Sequence, residues 1–266
     1  MRPVQGTVGA QRLVIDGTSV RIVHRRPEPA AAHPPVVILH GWGASLEAIE
    51  PIVQGLAGRA ELLALDLPGF GESDPPTEGW SVADYGRFVL RACDEVGIGR
   101  FSLVGHSFGA RIAIVLGATA PERIDRIVLT GAAGIKPRRT AKYYSRVAIA
   151  KVGRVVGAAG GAPGRRVQER MRRRVASPDW LEASETMRQT FRLVIGEDLT
   201  PLLPQVRAST LLIWGDADAD TPLWMGQRME GAMPDAGLVV LKGGHYVYAE
   251  RSGEFNAVVA HFLVER

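Results

Sequence analysis

The hydrophobic residues of this chain fall into short apolar runs that alternate with longer stretches of helical periodicity. The runs lie at 36–39, 62–65, 101–104, 127–129, 211–214 and 238–241, and the helical stretches at 46–59, 82–96, 108–120, 223–233 and 254–263. Short apolar runs between helices are typical of parallel strands that are buried on both faces. The pattern therefore predicts an α/β fold with a parallel sheet and right-handed crossovers.

Two segments depart from this alternation. Near the N-terminus, residues 12–16 and 19–24 flank a short turn, which predicts an antiparallel β-hairpin. Between 135 and 200 the strand pattern stops, and the sequence is rich in Arg and helical in character. We therefore expect an α/β core made of residues 1–134 and 201–266, with a mostly parallel eight-stranded sheet, and a helical cap insertion at 135–200.

Composition supports a globular chain built around one core. Of the 266 residues, 46% are hydrophobic and 23% are charged, which excludes a mainly disordered or fibrous protein. The single cysteine, Cys93, lies in a helical pattern and is expected to be a core residue; it can form neither an internal disulfide nor a cysteine-based metal site. No apolar stretch reaches the roughly 18 residues that span a bilayer. We expect a cytoplasmic protein without an integral membrane segment.

The residues after the apolar run at 101–104 carry the first chemical signal. They read Gly105-His106-Ser107-Phe108-Gly109, with a serine between two glycines where a strand should pass into a helix. Such a turn is too sharp for side chains at the flanking positions, and it exposes the serine hydroxyl above the sheet. The pattern alone is weak, and its position between strand and helix is what favours a nucleophile.

A serine nucleophile needs a base, and the base needs an acid that orients it. Asp216, Asp218 and Asp220 follow the run at 211–214, and His245 follows the run at 238–241. In hydrolases whose nucleophile lies on a strand-to-helix turn, the catalytic residues follow one another along the chain in the order Ser, Asp or Glu, His. The other histidines suit other roles: His24, His33 and His261 suit packing or solvent exposure, and His40 and His106 suit positioning.

Taken together, the motifs resemble those of the α/β-hydrolase fold superfamily over nearly the whole chain. They are His40-Gly41-Trp42-Gly43, the segment 66–73 (DLPGFGES), Gly105 to Gly109, the segment 214–222 (WGDADADTP), and Gly244-His245. The resemblance implies Ser107 as nucleophile, His245 as general base and then acid, and Asp218 as the orienting acid. The family spacing between Trp and Pro in the acid loop selects Asp218.

The resemblance also implies the residues around this triad. The backbone N–H groups of Trp42 and Phe108 would form the oxyanion hole, as this superfamily builds it. Supporting positions are His40, Gly41, Gly43, Gly105, His106 and Gly109. Candidate pocket-lining residues are Phe70, Met187 and Phe191.

No cofactor is implied by this reading. The sequence has no phosphate-binding glycine motif and no His/Cys/Asp cluster at metal-ligand spacing, so we expect neither a cofactor nor a metal.

Charge is unevenly distributed. The chain has 32 Lys and Arg against 28 Asp and Glu, but residues 135–200 hold fifteen against six. A solvated helical face is the simplest explanation, and an anionic or carrier-linked small-molecule substrate, or an anionic membrane surface, is the sharper one. The mild net charge predicts no nucleic-acid partner. A monomer or a small homo-oligomer is expected.

Three functions stay open at this point. The leading one is a serine esterase that forms an acyl-enzyme. A second is a C–C bond hydrolase or a perhydrolase-like enzyme with the same triad, although Ala44-Ser45 stands where such C–C hydrolases typically have Pro-Gly. Dehalogenases and epoxide hydrolases of this fold have Asp at the position of Ser107. The third is a receptor-like member that binds a ligand without turnover.

Overall fold

Eight strands form one sheet in the computed structural model, which describes residues 9–136 and 183–265, together with 155, 161, 163 and 166. The strands are β1 Ala10–Ile15, β2 Thr18–Arg25, β3 Val36–Leu39, β4 Leu62–Leu65, β5 Phe101–His106, β6 Ile124–Thr130, β7 Ser209–Gly215 and β8 Ala236–Leu241. Their order across the sheet is β1-β2-β4-β3-β5-β6-β7-β8. The hairpin β1-β2 is antiparallel, β2 pairs antiparallel with β4, and the strands from β4 to β8 are parallel. The predicted fold class is confirmed.

Helices cover both faces of this sheet. They are α1 Leu46–Leu56, α2 Val82–Glu95, α3 Phe108–Thr119, α4 Glu185–Gly196, α5 Leu223–Glu230, α6 Val247–Glu250 and α7 Ser252–Leu263, with short 3-10 helices at Pro121–Arg123 and Thr200–Gln205. Along β3, Val37 and Leu39 join the core under α2 and α3, whereas Val36 and Ile38 join the core under α1 and α7. Successive side chains of a strand point to opposite faces, so an all-apolar strand supplies both cores.

Two boundaries differ from the sequence prediction for identifiable reasons. The helix expected at 46–59 ends at Leu56, because Ala57 leaves the helical region and Gly58 has a φ of +74°. The run at 238–241 was expected to be buried on both faces. β8 instead forms the edge of the sheet, where Val240 is 45% exposed.

A buried ionic cluster joins the hairpin to the parallel strands. The Arg21 guanidinium on β2 donates to Asp66 at 2.8 Å, to Glu47 at 2.7 Å and to Glu72 at 2.8 Å. Asp66 also accepts from the Leu46 N–H at 2.7 Å, which satisfies a free donor at the start of α1. The bond from Arg21 is the main reason that the pKa of Glu47 is lowered to about 2.

The predicted cap insertion lies largely outside the described residues, and its limits stay a prediction. The described part contains α4, whose first turn is capped by the Ser184 hydroxyl, which accepts from the Met187 N–H at 3.2 Å. The Leu199 N–H donates to the Gly134 carbonyl at 2.8 Å. The two residues that bound the interval 135–198 are therefore adjacent.

Candidate active site

The turn between β5 and α3 holds Ser107 in a strained backbone conformation. Its φ of +51° is one of two positive values among the non-glycine residues that the structure describes. The flanking glycines are required sterically. A Cβ on Gly105 would lie 2.7 Å from the Gly109 carbonyl carbon, and a Cβ on Gly109 would lie 2.3 Å from the Leu39 carbonyl oxygen. Strain of this kind persists where the surrounding packing enforces it, which is typical of functional sites.

Strand β6 holds this turn in place. The Ser107 N–H donates to the Thr130 carbonyl at 3.1 Å, and the Ser107 carbonyl accepts from the Ala133 N–H at 3.3 Å. The Ser107 residue remains partly exposed. The hydroxyl is thus carried on a fixed backbone at the carboxyl end of the sheet, where ligands of open α/β sheets bind.

His245 and Asp218 form a close pair on the loops after β8 and β7. The His245 Nδ1 lies 2.8 Å from the Asp218 Oδ2. The same carboxylate accepts from the Thr221 hydroxyl at 2.8 Å, from the Thr221 N–H at 2.9 Å and from the Asp220 N–H at 2.9 Å. These donors fix the carboxylate, which in turn fixes the imidazole with its proton on Nδ1.

The ionised state of Asp218 is favoured despite its burial. Burial raises the pKa of this carboxyl, but the hydrogen bonds from His245 and Thr221 outweigh it, and the net pKa is lowered. A carboxylate that stays charged is what an imidazolium beside it requires.

Gly131 explains how the pair packs against the Ser107 turn. It follows Thr130, and a Cβ at this position would lie 3.0 Å from His245 Nδ1 and 3.3 Å from Asp218 Oδ2. The pair therefore lies against the same strand end that holds the Ser107 backbone. Any side chain here would push the imidazole or the carboxylate away.

His106 connects the elbow to the His245 loop from the other side. Its Nε2 lies 3.1 Å from the His245 carbonyl oxygen, and the two imidazole rings are 4.7 Å apart. Burial lowers the pKa of His106 to about 3, so the ring is neutral and Nε2–H is the donor. Nδ1 of this ring is buried without a hydrogen-bond partner.

His40 holds the loop after β3 against the loop after β4. Its Nδ1–H donates to the Gly41 carbonyl at 2.7 Å, and its Nε2 accepts from the Leu67 N–H at 2.9 Å. Burial lowers the pKa of His40, which favours the neutral form that this bonding needs. The His40 carbonyl also accepts from the Gly109 N–H at 3.0 Å, so the loop is bonded directly to α3.

The backbone N–H groups of Trp42 and Phe108 lie in these two bonded segments. Within the described ranges, neither N–H makes a hydrogen bond to the protein. Phe108 is the first residue of α3, where N–H groups have no partner inside the helix. The two rings are in edge contact, with centroids 5.4 Å apart.

An aromatic cluster forms one wall above the sheet. The Trp42 ring is in edge contact with Phe70 at 4.8 Å and with Phe191 of α4 at 5.0 Å. Phe70 and Met187 line a cavity of 440 Å³, together with Trp42, and Phe191 reaches Trp42 from above. Met187 packs on Gly69, where a Cβ would lie 2.3 Å from its sulfur.

A second cavity of 560 Å³ is lined in part by the end of α4, at Arg192, Ile195 and Gly196. Its lining includes Thr221 and Ala133, which bond to Asp218 and to Ser107 respectively, and Arg111 of α3. Met187, near the start of α4, lines the first cavity, so the two cavities lie at opposite ends of this helix.

The side chains of other candidate Asp and His residues take no part in the Asp218–His245 pair. Asp216 bonds to Lys242 at 2.6 Å, and the Asp220 side chain is exposed. His24 pairs with Glu61, and His261 lies exposed on α7. Residues 9–136 and 183–265 contain no group of three or more His, Cys, Asp or Glu that could hold a metal ion, and none of their helices is long and apolar enough to cross a bilayer.

Two contributors to the site are not predicted from the sequence. Thr221 stands beside the Pro of the acid loop, and that placement is the one signal for it. Gly131 gives no signal, because its importance depends on which elements pack together.

A family model described as the alpha/beta hydrolase fold matches residues 34–252. The chain therefore belongs to the α/β-hydrolase fold family, and it is a hydrolase by family and by its named relatives.

The named relatives of this chain differ in chemistry. The chain is 27% identical over 287 residues to a 2-hydroxy-6-oxononadienedioate/2-hydroxy-6-oxononatrienedioate hydrolase of Cupriavidus pinatubonensis, covering 96% of each chain. It is 28% identical over 262 residues to the dihydrolipoyllysine-residue acetyltransferase component of the acetoin cleaving system of Cupriavidus necator, covering 94% of this chain and 67% of that one. Among solved structures, it is similar to a bacterial membrane phospholipase A described as a virulence factor, with a TM-score of 0.75, 25% identity, and 96% and 85% of the two chains covered.

Proposed function

We propose that this hydrolase cleaves a carboxylic ester or a related acyl bond through an acyl-enzyme on Ser107, with His245 and Asp218 completing a triad. The observation that carries the proposal is the Asp218–His245 pair, 2.8 Å between Oδ2 and Nδ1, packed against the strand end that holds the strained Ser107 turn.

The proposed first half-reaction forms the acyl-enzyme. Ser107 Oγ attacks the carbonyl carbon while His245 Nε2 takes its proton, and Asp218 stabilises the imidazolium that results. The carbonyl oxygen gains negative charge and accepts from the Trp42 and Phe108 N–H groups, each worth about 10²–10³-fold in rate. The bond to the leaving group then breaks, and His245 returns the proton to the leaving oxygen.

The second half-reaction repeats these steps with water. His245 takes a proton from a water molecule that attacks the acyl carbon, and the released Ser107 oxygen receives that proton. His245 carries out every proton transfer in both half-reactions, so the proposed cycle needs no cofactor.

Labelling with a fluorophosphonate probe tests the nucleophile. We expect covalent labelling of the wild type and of Ser252→Ala, a control at the first turn of α7, and none of Ser107→Ala. Equal labelling of Ser107→Ala would overturn the assignment. A panel of p-nitrophenyl esters, acyl-CoAs and lactones then defines the acyl bond that is cleaved.

C–C bond hydrolysis is the second candidate, because the relative from Cupriavidus pinatubonensis covers 96% of the chain and is named as a 2-hydroxy-6-oxononadienedioate/2-hydroxy-6-oxononatrienedioate hydrolase. 2-Hydroxy-6-oxononadienedioate should be included in the panel. A kcat/KM for it at least tenfold above those of the esters would make C–C cleavage the function. Tight binding of a ligand without turnover, unchanged in Ser107→Ala, would favour a receptor-like role.

A further inference from the structure

The 560 Å³ cavity has a buried cation in its wall. Arg111 lies on α3, four residues after Ser107, and one helical turn puts the two residues on the same side of the helix start. Its side chain is part of the lining, yet the residue is only 8% exposed. The cavity also reaches Thr221, which bonds to Asp218, so it adjoins the triad.

Among the residues that the structure describes, few partners satisfy the Arg111 guanidinium. Its one hydrogen bond goes from Nη1 to the Glu197 backbone carbonyl at 3.1 Å, and it has no ion pair among residues 9–136 and 183–265. A guanidinium has five N–H donors, and burying its charge without an anionic partner is costly. Burial lowers the pKa of Arg111, opposed by the charges of Glu197 and Asp198.

The neighbouring carboxylates do not accept hydrogen bonds from the Arg111 guanidinium. Asp198 accepts from the Thr200 hydroxyl at 2.7 Å and from its N–H at 3.1 Å, and Asp220 in the cavity wall is exposed. Two further cations, Lys136 and Arg192, line the same cavity from exposed positions, and Arg192 also pairs with Glu185 at 3.0 Å. Arg111 is therefore the buried donor, and the other two add positive potential at the rim.

We propose that this cavity is a subsite for a carboxylate carried by the substrate away from the bond that is cleaved, with Arg111 as its anchor. The inference rests on the proposed serine hydrolase and names its substrate class, an acyl compound with a second, anionic end. Planar guanidinium groups match carboxylates through paired N–H donors. The cavity lined by Trp42 and Phe70, at the start of α4, is suited to the apolar remainder.

The carboxylate can stand in the acyl part or in the leaving group, and matched substrates separate the two. One pair is the p-nitrophenyl monoester of a six-carbon dicarboxylic acid and its methyl-capped diester. The other pair is the butyrate ester of a hydroxybenzoate and that of its methyl ester. We expect the wild type to favour the carboxylate member of one pair by about 10- to 100-fold in kcat/KM.

Variants identify the anchor. Arg111→Gln should remove that preference mainly through KM while leaving the neutral ester within about threefold of the wild type, and Arg111→Lys should keep part of it. Arg87→Gln, an exposed arginine on α2, is the matched control. Equal loss on both members of a pair would mean that Arg111 is only structural, and this outcome would overturn the proposal.

The two proposals fail in different ways. If neutral esters are cleaved in a Ser107-dependent manner and the wild type shows no preference in either pair, the subsite is refuted and the serine hydrolase stands. If no ester is cleaved, the preference is read from competition of the dicarboxylate with a fluorophosphonate probe. If the monoester with a free carboxylate and the methyl-capped diester protect Ser107 from labelling equally well, the subsite is refuted. This result does not depend on whether Arg111→Gln folds.

Discussion

The Nε2 of His106 lies 3.1 Å from the carbonyl oxygen of His245, so the residue before the proposed nucleophile holds the backbone of the proposed base. This bond requires a proton on Nε2 of His106. Burial keeps the ring neutral with that single proton, because it lowers the pKa of His106 to about 3.

The low pKa of His106 should make the fold sensitive to acid. Between about pH 6.5 and pH 3 the unfolded chain binds a proton at this residue that the folded chain does not, so the free energy of unfolding falls as the pH falls. The contribution has a slope of up to about 1.4 kcal/mol per pH unit. Urea unfolding from pH 7 to pH 4.5 should show a shallower decline for His106→Asn than for the wild type.

His261→Asn is the control for that series, because His261 is exposed on α7. It should leave the pH dependence of the wild type unchanged. Identical slopes for the wild type and His106→Asn would contradict the burial argument.

Asp218 should be far more sensitive to replacement than its neighbour Asp216. Asp218→Asn keeps the shape but removes the charge beside His245 and allows the wrong tautomer, so we expect kcat to fall by about 10³–10⁴-fold. Asp216→Asn loses a surface contact with Lys242 and should stay close to the wild type. Steady-state kinetics on one ester decides between them, and comparable losses would argue against Asp218 as the orienting acid.

The positive φ of Ser107 predicts a difference between two inactive variants. Ser107→Ala and Ser107→Gly should both lose activity by about 10⁴-fold or more, because neither has a nucleophile. Glycine tolerates a φ of +51°, so its variant should be the more stable of the two by about 1 kcal/mol in urea unfolding. Ala113→Gly, inside α3, should instead be less stable than the wild type. If Ser107→Ala is more stable than Ser107→Gly, the turn carries no strain.

The Arg21 cluster predicts a second acid-sensitive contribution, away from the site. Glu47 has its pKa lowered to about 2 by Arg21, so its stabilising effect is complete above about pH 4.5 and is lost as the pH falls toward 2. Glu47→Gln should lower the free energy of unfolding by about 2 kcal/mol at pH 7, a value reduced for the partial exposure of the side chain. The difference from the wild type should vanish near pH 2.

Glu265→Gln serves as the comparison for Glu47→Gln. It breaks an exposed pair with Arg59 and should cost less than about 0.5 kcal/mol. If the two variants lose the same stability, the Arg21 cluster contributes no more than a surface pair.

The strands of the parallel sheet could be predicted because burial on both faces leaves a continuous apolar signal. The sequence reading of β5 stopped at 104, whereas the strand continues through Gly105 and His106, whose buried positions do not show in residue type. β8 has the same apolar signal as the central strands, and only the order of strands makes it an edge.

The residues of the site also differ in whether the sequence can predict them. Ser107, Asp218 and His245 stand directly after strands, where the fold gathers reactive groups, and a motif can find them. Gly131 and Arg111 matter through what lies next to them in space, which is set by the packing of β6 and α4 against the core. The residues next to them in sequence do not predict those contacts.

The hydrogen bond between Leu199 and Gly134 has an evolutionary consequence. It closes the interval 135–198 at its base, so the length of chain between these residues has little influence on the core; each doubling of a flexible loop costs only about 0.6 kcal/mol. An interval whose two ends meet can change in length by insertion or deletion while the strands before and after it keep their places in the sheet. Such changes in the gene are therefore compatible with an unchanged arrangement of Ser107, Asp218 and His245.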